Sequence, residues 1–312
     1  MKSIFKINSI ICLLFISTYS YAQQDPMYTH YMFNTLVINP GYAGSRDAFT
    51  VTALHRSQWL NYRGAPITQT LTMHTPLRNQ HLGIGLSVMN DKIGPVNNTT
   101  VIADVAYIMH LSRKSKLALG LSGGANIWTA KLSTLELDQT NDPLFQTNFS
   151  NKLTGKFGFG AYYSLERIYV GVSIPNLLEN KLSKSASNGT ILYNYEQRHY
   201  YLIGGALMHL TDKLDLKPTT LIKVTDAAPI EADFTASFIY NNRFTLGVMA
   251  RTGDALGALI GFQITNQFYL GYSFDYSMGL ETAHYNSGSH ELVLRYDCMS
   301  YEKRQIHSPR YF

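Results

Sequence analysis

Residues 120–124, Gly-Leu-Ser-Gly-Gly, match the G-x-S-x-G pattern that surrounds a nucleophilic serine in many hydrolases. The pattern supports catalysis when the serine lies on a sharp turn between a strand and a helix. Here apolar residues alternate with small or polar residues on both sides of Ser122, which indicates a position inside a strand. The local sequence therefore argues against a hydrolase that uses this serine.

Other residues that could do chemistry also lack the spacing that the chemistry needs. Asp104 and His110 share a strand face, but six residues at ~3.3 Å each separate them by ~20 Å, too far for a direct acid–base pair. The 10 histidines include no H-E-x-x-H motif, and the acidic cluster at 138–142 lacks EF-hand spacing. We therefore predict no catalytic residue, no metal site and no cofactor.

The first 22 residues have the features of a secretory signal peptide. Lys2 and Lys6 precede a short apolar stretch at 10–16, and Ser20-Tyr21-Ala22 supplies small residues for cleavage. Cleavage before Gln23 would leave one cysteine, Cys298, and hence no intramolecular disulfide or thiolate metal site. Loss of Lys2 and Lys6 would lower the formal net charge from +5 to +3 (24 basic less 21 acidic residues), and this small, scattered charge predicts no nucleic-acid partner.

Most of the chain after residue 47 alternates with a period of two. Every second residue from Phe268 to Met278 is large and apolar or aromatic, and the residues between them are mainly Gly, Ser or Asp. The same alternation recurs at 154–165, 167–175 and 255–265. Strict alternation of this length is typical of a strand with one apolar and one polar face.

Fourteen segments are predicted as strands: 48–57, 66–76, 81–90, 99–112, 116–128, 154–165, 167–175, 197–210, 213–225, 229–240, 243–251, 255–265, 267–278 and 288–299. Most run for ~9–13 residues, against ~5–6 in globular sheets, and strands that span a membrane need ~9–11. We therefore predict an all-β protein, a transmembrane antiparallel β-barrel of about fourteen strands over residues 48–300. A secreted β-sandwich is the soluble alternative.

The charged residues indicate which face points inward. Along each strand, alternate residues form one of two phases, and each phase points to one face of the sheet. The charged residues lie in the phase opposite the large apolar residues: Lys156, Asp215, Lys217, Lys223, Glu231, Asp233, Arg251, Asp275, Glu291, Arg295 and Asp297. A charge facing lipid costs up to ~2–4 kcal/mol at the midplane, so this phase is predicted to line the lumen. The same phase carries many glycines, which would serve either barrel curvature or an inner wall with room for a plug.

The lengths of the connections predict the orientation. The connections are numbered in chain order, starting with the one between the first and second predicted strands. Even-numbered connections are short and polar, whereas the odd-numbered ones include longer segments at 58–65, 91–98, 129–153, 176–196 and 279–287. Bacterial outer-membrane barrels have short periplasmic turns and longer surface loops, so we expect both termini in the periplasm of a Gram-negative bacterium. Pro218 fits less well, because it removes a ladder hydrogen bond, and indicates a bulge or a misplaced boundary.

Residues 23–47 do not alternate and are too apolar for a free tail. They are rich in aromatic residues and methionine and end in a turn-rich run. They either pack inside the barrel for stability or act as a plug or partner contact. Residues 301–312 are mostly polar and are predicted to extend into the periplasm.

The N-terminal stretch resembles the PorP/SprF family of the type IX secretion system. The resemblance lies in residues 25–28 (Asp-Pro-Met-Tyr), 31–34 (Tyr-Met-Phe-Asn), 39–45 (Asn-Pro-Gly-Tyr-Ala-Gly-Ser), 56–59, 175–178 and 289–297. Gly41 departs from the alanine expected at its position. The resemblance implies a non-enzymatic outer-membrane β-barrel that works with large secreted proteins, including gliding adhesins, through their C-terminal secretion domain. Some members of the family associate instead with other secretion components, a periplasmic ring and a peptidoglycan-binding protein, and this is the other role that the resemblance implies.

The leading hypothesis is therefore a barrel in outer-membrane lipid that helps export a secreted adhesin or anchors it at the surface. The predicted partner-binding residues are Asp25, Pro26, Tyr28, Tyr31, Phe33, Asn34, Leu144, Phe145, Leu177, Leu178, Tyr193 and Tyr195. A plugged barrel that transports hydrophobic small molecules is the alternative, and an outer-membrane lipase is a third hypothesis.

Overall fold

The computed structural model describes residues 25–135, 148–186, 189–226, 228–278 and 286–298. The predicted signal peptide and the tail at 301–312 lie outside these residues. The helical elements described are one α-helix, α1 (Thr35–Ile38), and two 3-10 turns at Pro40–Tyr42 and Leu132–Thr134. No helix in the described part of the chain has the length and apolar composition needed to cross a membrane.

Almost all of the remaining regular structure is β. The strands are β1 (Phe49–Ser57), β2 (Ile67–Pro76), β3 (Leu82–Ile93), β4 (Val96–His110), β5 (Ser115–Ala130), β6 (Phe149–Leu165), β7 (Ile168–Ile174), β8 (Lys181–Ala186), β9 (Gly189–Tyr195), β10 (His199–Ala206), β11 (Met208–Thr211), β12 (Leu214–Thr225), β13 (Ala228–Tyr240), β14 (Phe244–Arg251), β15 (Ala255–Gln263), β16 (Phe268–Ser277) and β17 (Ser289–Cys298).

The main sheet closes on itself. Each strand pairs antiparallel with its neighbours, β1 pairs with both β2 and β17, and β10 pairs with both β7 and β12. β10 and β11 lie end to end along β12, on either side of Leu207, so the 15 strands of the sheet occupy fourteen positions in the wall. The predicted antiparallel barrel of about fourteen strands is therefore confirmed.

The two faces of the wall differ as the alternation predicted. In β14, Leu246 and Val248 are each 62% exposed, whereas the neighbouring Met249 and Arg251 are buried. Glu231 is half-buried, and the other charged residues predicted to line the lumen are buried. An outer face free of these charges suits contact with hydrocarbon, where an ionised group is costly.

Three local features differ from the sequence-based prediction or refine it. The segment 91–98 is not a long connection: β3 continues to Ile93 and β4 begins at Val96, because Gly94 adopts a positive φ of 54° that allows a tight turn.

The predicted loop 176–196 contains β8 and β9, which pair only with each other in the described structure. Pro218 lies in β12 opposite the break between β10 and β11, where its missing N–H costs no ladder bond on that side.

Candidate functional site

The lumen is occupied by residues 25–47, which we call the inner segment. Asp25 lies 3.3 Å from the His199 ring, at the start of β10, and Asp47 lies 3.1 Å from Lys116 Nζ, at the start of β5. The start of β10 faces the long-loop rim, which is the end of the barrel where β1, β5, β7 and β16 finish. The start of β5 faces the short-turn rim, formed by 77–81, 111–114, 166–167, 212–213, 241–243 and 264–267. The inner segment therefore runs from one rim of the lumen to the other.

The first described residue and the last one lie at opposite ends of the barrel. Asp25 lies toward the long-loop rim, whereas Cys298 ends β17 at the short-turn rim, opposite Phe49. The termini of the mature chain lie outside the described residues, and their position in the periplasm stays a prediction.

One side of the inner segment is held by charged groups of β1, β16 and β17, the charged wall. Glu291 accepts hydrogen bonds from the backbone N–H of Thr29, at 3.0 Å, and of His30, at 2.7 Å, and its Oε1 lies 2.8 Å from His30 Nδ1. Arg56 Nη1 lies 2.8 Å from Asp275 and 3.2 Å from Glu291, and it donates to Thr29 Oγ1. One guanidinium thus balances two carboxylates that are themselves bonded to the inner segment.

Further polar contacts continue the charged wall onto β12, β13 and β14. Arg251 forms a bidentate salt bridge with Asp233, in which its Nε and Nη2 donate to the two carboxylate oxygens at 2.8 and 3.0 Å. Nη2 also lies 3.5 Å from the Tyr28 carbonyl oxygen. The Tyr31 hydroxyl lies 2.9 Å from Thr219 Oγ1 and donates to Thr235 Oγ1 at 3.3 Å.

The opposite side of the inner segment contacts glycines of β3, β5, β6 and β7, the glycine wall. A β-carbon on Gly83 would overlap the Ala43 carbonyl, and one on Gly120 would overlap the backbone between Pro40 and Gly41. These glycines let two backbones approach each other, which no residue with a β-carbon allows at the same separation. Other glycines of the inner phase give room to a lumen side chain instead, as Gly261, Gly257 and Gly271 do for Tyr269, Asp275 and Val293.

Asn39 fastens the inner segment to the glycine wall by hydrogen bonds. Its side-chain amide donates to the carbonyls of Ala161 and Val172, at 3.0 and 3.3 Å. Its side-chain oxygen accepts from the Gly41 N–H at 2.8 Å, which begins the 3-10 turn at Pro40–Tyr42. At the short-turn rim, Arg46 then pairs with Asp297 through two hydrogen bonds, at 3.2 and 3.0 Å.

A cavity of about 250 Å³ remains between the inner segment and the wall at the short-turn rim. Its lining includes Arg46, Lys217, Arg243 and Arg295 as cations and Phe33, Tyr269 and Leu259 as apolar or aromatic groups. Uncharged polar residues, among them Asn242, Gln263 and Asn266, also line the cavity.

The residues predicted to bind a partner lie in three different places. Asp25, Pro26, Tyr28, Tyr31, Phe33 and Asn34 lie in the lumen as part of the inner segment. Leu177 and Leu178 follow β7 at the long-loop rim and are 39% and 40% exposed. Leu144 and Phe145 lie outside the described residues, and for Tyr193 and Tyr195 only the β9 backbone is described. Partner binding by these residues stays a prediction.

Several residues that hold the inner segment were not singled out as site residues in the sequence. These are Thr29, His30, Asn39, Arg46, Arg56 and Glu291. The inward phase of Glu291 was visible in the alternation, but its partners Thr29 and His30 lie 262 and 261 positions away in the chain. No local pattern could have paired them.

The position of Ser122 agrees with the sequence-based argument against catalysis. Ser122 lies within β5, opposite Asp104 of β4, and both side chains are buried. β5 continues for eight more residues to Ala130, so Ser122 does not lie at the strand-to-helix turn of a nucleophile elbow.

The family comparison decides the assignment. The sequence model of the family described as "Type IX secretion system membrane protein PorP/SprF" matches residues 20–296 of this chain. The chain belongs to the PorP/SprF family. Family membership and the closed barrel together place this PorP/SprF member in the outer membrane, with a structural or transport role of a non-enzymatic kind. No curated protein matches the sequence.

Solved structures resemble this PorP/SprF member in fold. The CymD monoaromatic hydrocarbon channel aligns with a TM-score of 0.50 and 10% identity, over 87% of this chain and 94% of that one. The outer membrane protein Omp33 of Acinetobacter baumannii aligns with a TM-score of 0.46 and 10% identity, over 81% and 99%. At this identity, the likeness to CymD concerns the fold alone.

Proposed function

We propose that this PorP/SprF barrel helps export a secreted adhesin or anchors it at the cell surface, through the C-terminal domain of the adhesin. The observation that carries the proposal is the filled lumen: the inner segment crosses it and is tied to the wall on two sides. A folded domain cannot pass through a lumen in this state. A large partner would therefore contact a rim, as an anchor requires.

The long-loop rim is the surface we assign to the adhesin domain. Leu60, Tyr62, Leu177 and Leu178 are exposed there, and the connection that carries Leu177 and Leu178 also contains the hairpin of β8 and β9. Aromatic and large apolar side chains commonly supply much of the binding energy of protein interfaces. Bacterial outer-membrane barrels carry their longer loops outside, which would direct this rim toward the surface.

The short-turn rim is then the periplasmic side, where β17 ends. We assign to it the contacts with the periplasmic ring and the peptidoglycan-binding protein that family membership suggests. Under this assignment the C-terminal tail is periplasmic. The exposed apolar phase between the two rims contacts membrane lipid.

The proposal is tested by changing each rim in turn. Leu177→Asp with Leu178→Asp, or replacement of 179–196 by a Gly-Ser linker, should release the adhesin from cells into the medium. The matched control is Leu77→Asp with Leu111→Asp, two leucines that are 39% and 58% exposed at the short-turn rim. Heat-dependent gel mobility would show that each variant still forms a barrel. Normal adhesin retention in every long-loop variant, including a deletion within 131–148, would remove this rim from the proposal.

Transport of a hydrophobic small molecule is the second candidate function. The cavity beside Phe33 and Tyr269 favours it, as does the fold shared with the CymD channel. Uptake of a labelled hydrophobic compound that requires the chain, with adhesin retention unchanged in the rim variants, would favour transport. Loss of retention with unchanged uptake would favour anchoring.

A further inference from the structure

The outward face of the barrel wall carries polar side chains near the long-loop rim. One row of directly opposed residues runs across the strands from β17 to β6 as Leu292, His55, Gln69, Asn90, Thr99, Ile127 and Leu153. The four central members, on β1 to β4, are polar, whereas the members on β17, β5 and β6 are exposed apolar residues. The wall is therefore polar on one side at a row that is apolar on the adjoining strands.

The neighbouring rows define the extent of this polar surface. The next row away from the rim is apolar and consists of Leu294, Ala53, Leu71, Val88, Val101 and Ala125. The next row toward the rim consists of His290, Ser57, Ile67, Lys92, Asn97 and Thr129. We call the polar patch the set of His55, Ser57, Gln69, Asn90, Lys92, Asn97, Thr99 and His290. It covers five neighbouring strands, roughly 20 Å across, and it adjoins the apolar surface directly.

The side chains of the polar patch bond to one another but keep free polar atoms. Gln69 Nε2 lies 3.2 Å from His55 Nδ1, and Asn90 Nδ2 donates to Asn97 Oδ1 and Thr99 Oγ1 at 3.0 and 2.8 Å. Within the described part of the chain, the side-chain oxygens of Gln69 and Asn90 accept no hydrogen bond. Such groups are costly in hydrocarbon, so this surface requires a polar neighbour.

Lys92 supplies the charge of the polar patch. It is exposed near the end of β3 and lies directly opposite Asn97. On the barrel strands that the structure describes, it is the one lysine, arginine or acidic residue in the outward phase. A cation without a carboxylate on the same face suits an anionic neighbour, and an ammonium group is a common ligand of phosphate.

We propose that the polar patch binds the phosphorylated sugar headgroup of lipid A, the glycolipid anchor of the outer leaflet. A phosphate lies at Lys92, and sugar hydroxyls bond to Gln69, Asn90 and His55, whose amide and imidazole groups can donate and accept. The acyl chains lie along the adjoining apolar row. One amphipathic anion thus matches the cation, the free polar atoms and the apolar surface beside them, which favours a glycolipid over a protein partner.

The location of the bound lipid rests on the orientation proposed above, in which the long-loop rim faces the cell surface. The binding test does not depend on that orientation, because both leaflets of a nanodisc can carry the lipid. The full barrel is placed in phosphatidylcholine nanodiscs that contain equal traces of diphosphoryl lipid A and phosphatidylglycerol. Native mass spectrometry then measures which lipid stays bound. Lipid A should be retained at least about tenfold over phosphatidylglycerol, an anion without the sugars. Equal retention would show a bilayer boundary only and would overturn the proposal.

Variants separate the polar patch from the rest of the surface. Lys92→Met removes the cation, and Gln69→Leu with Asn90→Leu removes the two amides; each should lower lipid A retention by about tenfold. Lys213→Met is the matched control, since Lys213 is an exposed lysine in the turn between β11 and β12 at the short-turn rim. Heat-dependent gel mobility would show that each variant forms a barrel.

Lipid A retention that survives both patch variants, or that falls equally in Lys213→Met, would contradict the assignment. Adhesin retention by cells is a separate measurement. Loss of lipid A binding with normal adhesin retention would count against the polar patch alone, and the reverse result would count against anchoring alone.

Discussion

The two walls of the barrel hold the same inner segment by different physical means. The charged wall uses ion pairs and hydrogen bonds centred on Arg56 and Glu291. The glycine wall uses close backbone approach at Gly83 and Gly120, with Asn39 adding hydrogen bonds. The charged wall therefore depends on charge balance in a buried site, and the glycine wall depends on the absence of side chains.

Arg56→Met should have the largest effect on the charged wall. It leaves the carboxylates of Asp275 and Glu291 buried without the cation that lies 2.8 and 3.2 Å from them. Loss of one partner from a buried pair costs about 3–5 kcal/mol. The midpoint of thermal unfolding in detergent should fall strongly, and small sugars should enter liposomes that contain the variant.

The control for this prediction is Lys114→Met. Lys114 pairs with Glu166 at 3.2 Å, but both side chains are more than half exposed, so the pair is an exposed counterpart of the buried one. Equal destabilisation by the two changes would show that the buried network does not hold the inner segment.

Gly83→Val and Gly120→Val should have the next largest effect, on the glycine wall. Each new side chain would occupy space now filled by the backbone of the inner segment. Overpacking of this kind costs about 1–3 kcal/mol. We expect protease cleavage within residues 25–47 of the purified barrel and a lower unfolding midpoint.

Gly123→Val is the matched control for the glycine substitutions. Gly123 lies in the same strand as Gly120, but a β-carbon there would meet only the Phe157 ring at ordinary contact distance. If all three valine variants behave alike, the effect comes from the strand itself and not from contact with the inner segment.

Tyr31→Phe should have the smallest effect. It keeps the buried ring and removes a hydroxyl that contacts Thr219 and Thr235. A hydrogen bond of this type contributes about 0.5–1.5 kcal/mol. The unfolding midpoint should fall slightly, whereas Tyr107→Phe, on the exposed outer phase, should leave it unchanged. If Tyr31→Phe lowered the unfolding midpoint as much as Arg56→Met, neutral hydrogen bonds would contribute as much as the buried ion pairs to the stability of the charged wall.

Much of the barrel could be predicted because its signal is local. Alternation along β16 requires only neighbouring residues, and the structure has this strand at Phe268–Ser277, close to the predicted 267–278. The inward phase of Arg251 and Asp233 followed from the same pattern. The turn at Gly94 and the hairpin of β8 and β9 were missed, since turn residues and short polar strands give weak alternation.

The sequence by itself determined the strands, which of their faces is apolar and the family, because these depend on short-range patterns and a characteristic N-terminal motif. Only the tertiary structure decided that His30 meets Glu291 and that Ala43 lies against Gly83. The physical reason is barrel closure. It brings β1 beside β17 and encloses the inner segment, so its partners are set by the position of each residue around and along the wall. Distance along the chain carries no information about such contacts.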